Sequence, residues 1–222
     1  MIILSIDVGG SNVKFRLSNS EEKRKFESGP QLTAQEMVEK VKEQTADWKF
    51  DAISIGIPAP VIRGKVIKDP HNLGSGWAEF DFSAAFGMPT KVVNDAAMQA
   101  LGDYKGGRML FLGLGTGLGS AMIVEGVLQP MELAHLPFKK GKTFEECVGQ
   151  KGREQLGKKK WRAEVNEAIQ MLVAALEPEY VVLGGGNAKH MEDLPENVTV
   201  CANGNAFLGG FRMWDETSPV QL

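Results

Sequence analysis

The chain has 222 residues, 43% hydrophobic and 24% charged, the proportions of a globular protein that buries a core and is neither disordered nor fibrous. Its formal charge of −3 argues against general affinity for nucleic acid or membrane surfaces. Two cysteines write no disulfide framework and fit a reducing cytoplasm.

Ile2, Leu4 and Ile6, then Val13, Phe15 and Leu17, alternate by two around the turn DVGGSN and predict a β-hairpin. The apolar run before Asp7 is too short for a secretory segment. A polar stretch with the charge cluster Glu21 to Lys25 follows. Thr33 with Glu36 three residues on forms a capping box, which opens a helix expected to reach about Asp47. Residues 51–57 form a buried strand stopped by Pro58 and Pro60. TKVV at 90–93 is a further strand, and helical spacing resumes at Ala96, so Asp95 lies at a strand-to-helix junction.

The uncharged run from Met109 to Val124 is broken by Gly113, Gly115, Gly117 and Gly119, and a membrane span needs about 20 apolar residues. It reads as strand, glycine loop and strand. Trp161, Val165, Ile169, Leu172, Val173 and Leu176 then mark one buried helical stripe ended by Pro178. YVVL at 180–183 is a strand opening onto three glycines. Alternating strands and helices imply an α/β protein. The segments SIDVGGSNVKFRL and FLGLGTGLGSAMIV echo each other, which predicts a duplicated architecture of two lobes with a cleft between them.

Glycine supplies 26 residues, above the usual share of about 7%, and the excess gathers in DVGGSN, LGTGLGS and LGGGN. Backbone N–H groups cradle phosphate only where side chains are absent and φ can turn positive, which glycine permits. Known phosphate motifs fail: GKT at 141–143 has Leu136 where a P-loop needs glycine, and Ser120 stands where a dinucleotide fingerprint needs its third. Asn94 and Asp95 suit a helix cap, yet a carboxylate at the carboxyl end of a buried strand also faces the ligand crevice of such sheets. Glu132 and His135, with Glu145 after them, could bind a polyol, and they fall short of a structural zinc set. Residues 139–162 hold nine basic against three acidic side chains, a window of +6 in an acidic chain, which suits either a solvated helix face or a long phosphate chain.

In order along the chain, DVGGSNVK, GIPAPV, HNLGSGW, VNDA, LGTGLGSAMI, ELAH, TFEE and VVLGGGN resemble the ROK sugar kinases of the actin-like, ribonuclease H-like superfamily, most closely the polyphosphate glucokinases. The resemblance implies an N-terminal lobe of residues 1–93, joined by the segment 205–222, and a second lobe of 94–204. It makes Asp95 the catalytic base. Asn94, Glu132, His135 and Glu145 become sugar-hydroxyl ligands, with Asn72 near the sugar. Phosphate loops would be formed by Asp7, Gly9, Gly10, Ser11, Asn12 and Lys14, and by Gly115, Thr116 and Gly117. Gly184, Gly185 and Gly186 would border the donor site. Asp7 would orient Mg²⁺ through water.

The implied reaction moves phosphate from polyphosphate or ATP to the 6-OH of glucose, in a cytoplasmic homodimer without zinc, nucleic acid or membrane partners. Another hexose such as mannose or an N-acetylhexosamine, or a non-catalytic sugar sensor, is the alternative. The chain departs from the family at Ala134 and Ala59, each a glycine there, and lacks the cysteine-rich zinc motif after His135, so that His135 would meet sugar without metal. It is also shorter than most members and opens on a strand with no helix-turn-helix, which disfavours the family's repressors.

Overall fold

A computed structural model of the chain describes residues 1–201 and 205–215. Strand β1 (Ile3–Val8) turns back at its glycine pair into β2 (Asn12–Leu17), and β3 (Lys23–Glu27) follows antiparallel. Helix α1 (Ala34–Gln44) leads to β4 (Ala52–Ile57), parallel to β1. A small hairpin of β5 (Val61–Ile62) and β6 (Lys65–Val66) and the short α2 (Phe82–Phe86) precede β7 (Thr90–Asn94), parallel to β4, and α3 (Asp95–Asp103). The sheet order is β3-β2-β1-β4-β7.

The second half repeats the scheme. Strands β8 (Arg108–Leu114), β9 (Leu118–Val124) and β10 (Val127–Pro130) form an antiparallel meander. After the hairpin of β11 (Pro137–Lys139) and β12 (Lys142–Thr143) come α4 (Phe144–Val148) and α5 (Gln150–Leu176). Strand β13 (Tyr180–Gly184) runs parallel to β8, and β14 (Val198–Val200) parallel to β13, before α6 (Asn205–Arg212). The order β10-β9-β8-β13-β14 matches the first sheet strand for strand and sense for sense, so the echo between the two glycine hairpins is a structural repeat.

Two compact units result, one of Met1–Gly102 with 205–215 and one of 103–201. The division falls at 102/103, at the last residue of α3, rather than at 93/94. Ala96, Ala97, Ala100 and Leu101 are buried, and an added Cβ on Gly56 of β4 would lie 2.7 Å from Met98 Cε. The part of the expected C-terminal segment from residue 216 onward lies outside the described residues.

In the first unit Leu4, Ile6 and Val8 pack with Ile53, Ile55 and Ile57 against Met37, Val38 and Val41 of α1. Period-two alternation puts Ser5 and Asp7, and Ser54 and Gly56, on the opposite face. There α6 presses close, and a Cβ on Gly210 would overlap the Ser5 hydroxyl. In the second unit Leu110, Leu112, Leu114, Val181 and Leu183 pack with Trp161, Val165, Ile169 and Leu172 of α5.

Three expectations are corrected here. The capping box of α1 is present, but the helix ends at Gln44 with Thr45 as its cap, not at Asp47. The charge cluster read as a polar stretch holds an edge strand, β3. Helix α5 begins at Gln150, before its apolar stripe, and breaks at Gly157 (φ 72°, ψ 160°), a left-handed φ that favours glycine.

Candidate active site

Strands β1, β4 and β7 are parallel, so their carboxyl ends share one edge of the first sheet, where α/β sheets bind ligands. Asp7 stands there, opposite Lys14 on β2 and Gly56 on β4. Burial pushes its carboxyl above the ordinary range, against the pull of the Lys14 ammonium. The turn after it is pinned: the Gly9 N–H donates to the Asn12 carbonyl at 2.9 Å, the Ser28 hydroxyl to the Gly9 carbonyl at 2.6 Å, and the Ser28 N–H to the Ser11 carbonyl at 3.1 Å. Asn72 is exposed and rests on this turn, its Cβ 3.2 Å from where a Cβ on Gly10 would stand.

Asn94 ends β7 with its amide fully engaged. Its Oδ1 accepts the Ala96 N–H at 2.9 Å and the Ala97 N–H at 3.3 Å, while its Nδ2 donates to the Ala59 carbonyl at 3.1 Å. One side chain therefore caps α3 and ties it to the GIPAP turn. Asp95, half-buried, opens α3 and accepts the Ala96 N–H at 2.8 Å. Gly56 lies beneath it, where a Cβ would stand 3.3 Å from Asp95 Cα. Asp7, the Gly9–Asn12 turn, Asn72, Asn94 and Asp95 are thus gathered on one edge of one unit.

The second unit gathers the rest. The Gly115–Gly117 loop is gripped through its carbonyls: the Gln150 N–H donates to the Gly115 and Thr116 oxygens at 3.1 and 3.2 Å, and Asn187 Nδ2 to Gly115 at 2.9 Å. Gly184–Gly186 turn against the end of β8, where a Cβ on Gly185 (φ +77°) would lie 2.5 Å from the Leu114 carbonyl oxygen. Glu145 covers Gly117, accepts the Leu118 N–H at 3.4 Å, and through its own N–H donates to the Ala134 carbonyl at 3.0 Å. The Ala134 N–H donates to Glu132 at 3.2 Å. Residues 118, 132, 134 and 145 are so joined by hydrogen bonds, with Glu132 and His135 exposed.

Sequence reasoning missed Gly56, Gln150 and Asn187. Gly56 was hidden inside an apolar run, whereas Asn187 was signalled by the glycines before it. The false P-loop resolves into β12 and a cap, since the Thr143 hydroxyl accepts the Glu146 N–H and the Glu146 carboxylate the Thr143 N–H.

Among the described residues no group of three or more His, Cys, Asp or Glu could hold a metal ion. Asp7 nevertheless fits a hydrated cation: its carboxylate is short of solvation, and one carboxylate with water and donor oxygens is the habit of Mg²⁺. No helix among the described residues is long and apolar enough to cross a membrane.

The sequence profile of the ROK family matches residues 3–130, more than half of the chain. The chain belongs to the ROK family. A glucokinase of Pyrobaculum calidifontis is 31% identical over 97 residues, covering 41% of this chain and 33% of that protein, so the match spans a third of the relative's length. Among solved structures, the inorganic polyphosphate/ATP-glucomannokinase of Arthrobacter sp. strain KM superposes with a TM-score of 0.80 at 23% identity, covering 94% of this chain and 96% of that one. A ROK family glucokinase from Streptomyces griseus, in complex with glucose and AMPPNP, gives 0.71 at 15% identity, covering 94% and 97%. At these identities the structures establish the fold, which is the duplicated actin-like fold of ROK kinases. Glu132, His135, Glu145 and the 184–186 turn lie beyond the residues that the family profile matches.

Proposed function

We propose that this ROK chain transfers phosphate from polyphosphate or ATP to the 6-OH of glucose, with Asp95 as the base. The observation that carries the reading is the convergence of Asp7, the Gly9–Asn12 turn, Asn72 and Asp95 on one carboxyl edge of the first sheet. Asn94 fixes the first turn of α3, and so the backbone from which Asp95 projects. Its amide is spent on that task, so its proposed contribution to sugar binding is through position. Glu132, His135 and Glu145 would hold ring hydroxyls. A polar site of this kind rejects sugars that leave a member unpaired.

Asp95 would take the hydroxyl proton as the bond to phosphorus forms, a step worth about 10²- to 10⁴-fold. The two glycine turns would orient phosphate oxygens, and the proposed loose transition state asks for positioning and charge balance rather than covalent help. Mg²⁺, held through water by Asp7, would neutralise charge on the donor when bound.

For the donor, polyphosphate is favoured by the sorting of the basic window. Lys139 is paired with Glu164 and Glu167, and Arg162 with Glu192, while Lys151, Lys158, Lys159 and Lys160 of α5 stand exposed. Such a run binds a phosphate chain through counterion release, so polyphosphate-driven turnover should fall with salt faster than ATP-driven turnover. The deciding experiment is Asp95→Asn, which keeps the helix start and removes the base. Retained glucose binding with turnover reduced at least about 100-fold is expected. Turnover within about tenfold of wild type would refute the role.

A further inference from the structure

We propose that Asp69 is a positioning residue, a clasp that holds the Asn72 loop against the Gly9–Asn12 turn. Its Oδ1 accepts the Trp77 N–H at 2.8 Å and the Ala78 N–H at 2.9 Å, and its Oδ2 the Gly76 N–H at 3.4 Å. One carboxylate therefore closes the chain from Pro70 to Ser75 into a loop, holding its exit to the residue at its entry. Charge assistance makes such bonds stronger than neutral ones, and the three amides keep the Asp69 carboxyl below its ordinary range.

The flank of the loop is fixed separately. The Gly74 N–H and the Trp77 indole both donate to the Leu32 carbonyl, at 2.9 and 3.1 Å. Trp77 is fully buried, and Gly74 lies so near the chain before α1 that a Cβ would stand 2.7 Å from the Gln31 carbonyl oxygen. With base and flank anchored, the loop's outward residue Asn72 rests on Gly10. Asp69 is itself exposed, so its carboxylate fills no core; its three bonds all go to one end of this loop. It sets how firmly Asn72, proposed to stand near the sugar, is held against the turn that the proposed reaction uses for phosphate.

The structural part of the inference stands on geometry alone, and its kinetic consequence rests on the sugar-kinase reading. Hydrogen exchange on the full chain tests the first. In Asp69→Ala the amides of 71–78 should exchange at least about tenfold faster and those of 9–12 should follow, while 108–124 stay unchanged. Asp69→Asn, which keeps one acceptor oxygen, should remain within about threefold. Should the alanine variant not fold, Asp69→Ser, too short to span three amides, serves in its place. Acceleration at 71–78 without any at 9–12, or none at either, overturns the proposal.

Kinetics test the second. The hexose KM should rise about tenfold in Asp69→Ala and in Asn72→Ala, with kcat changed less, and the double variant should be no worse than Asn72→Ala because the two residues act through one contact. An unchanged KM in Asp69→Ala beside altered exchange overturns the positioning role. If the wild-type protein phosphorylates no hexose with either donor, the kinase reading fails, and the exchange result decides the clasp by itself.

Discussion

Replacing Gly56 by alanine tests whether the space beneath Asp95 matters for turnover. Gly56 sits on β4 between Asp7 on β1 and Val93 on β7, and its backbone is an ordinary strand that accepts alanine. The new Cβ would lie 2.7 Å from Met98 Cε, 3.2 Å from Met98 Sδ and 3.3 Å from Asp95 Cα. Met98 is fully buried, so its thioether must find room in a filled core, at a cost of about 1–3 kcal/mol. Asp95 Cα is backbone and cannot swing aside; against a usual carbon–carbon separation of about 3.5–4.0 Å it must move by a few tenths of an ångström. Where a misplacement of about 1 Å costs about 100-fold, a shift of that size lowers kcat roughly fourfold. Gly56→Val, with two further methyls, should lower it well beyond tenfold. Steady-state kinetics with urea unfolding on the same preparations separates the two effects. The hexose KM should stay within about twofold, because Glu132, His135 and Glu145, the proposed sugar ligands, are untouched. Wild-type kcat in both variants, with the stability loss present, would refute the claim that Gly56 sets the seat of the base.

Three further outcomes are expected. Gly117→Ala places a methyl onto the Glu145 carboxylate and should raise the hexose KM by about 10- to 100-fold, the worth of a hydrogen bond to a charged group; an unchanged KM removes Glu145 from the proposed sugar ligands. The folded Asp7 carboxyl titrates above its unfolded value near 3.8, so its ionisation penalises the fold above the raised value, and the penalty vanishes as pH falls to the unfolded one. Without divalent cations Asp7→Asn should therefore melt higher than wild type at neutral pH, the gap closing near pH 4 or on adding Mg²⁺; a variant that melts lower throughout contradicts this. Burial first, then the cations Lys158, Arg153, Lys189 and Arg162, hold the His190 imidazole below 6.5, so it stays neutral at pH 7 and its protonation weakens the fold as pH drops. Inorganic tripolyphosphate bound along α5 should raise its midpoint in an NMR titration, and no movement would place the donor chain elsewhere.

The features legible in the sequence were those with short-range causes. Thr33 and Glu36 wrote the start of α1, and the glycine pairs wrote both hairpins, because caps and turns are decided within four residues. Asp95 was legible because a polar pair between a β-branched run and an alanine-rich one can hardly be anything except a strand-to-helix junction. Strand β3 was not, since KRKFE shows only Phe26 as an apolar member of its alternation and draws its order from pairing with β2. Helix α6 was hidden by Gly209 and Gly210, which read as loop. Their smallness is required by the backbone of α3 and the Ser5 side chain, more than 100 residues away in sequence. The double duty of the Asn94 amide likewise depends on Ala59, a partner 35 residues away.

Helix α6 has a consequence for how the protein is made. It lies on β1 and β4, the Ser54 hydroxyl donates to its Gly210 carbonyl at 2.5 Å, and the Arg212 guanidinium reaches the Leu101 carbonyl at 2.7 Å. On the ribosome, the half whose strands emerge first must wait with the part of its sheet that α6 covers left open until the other half has been synthesised. The later-born half, uninterrupted in sequence, can mature before it, so a chain stalled just short of α6 should present a finished second unit and a protease-sensitive first.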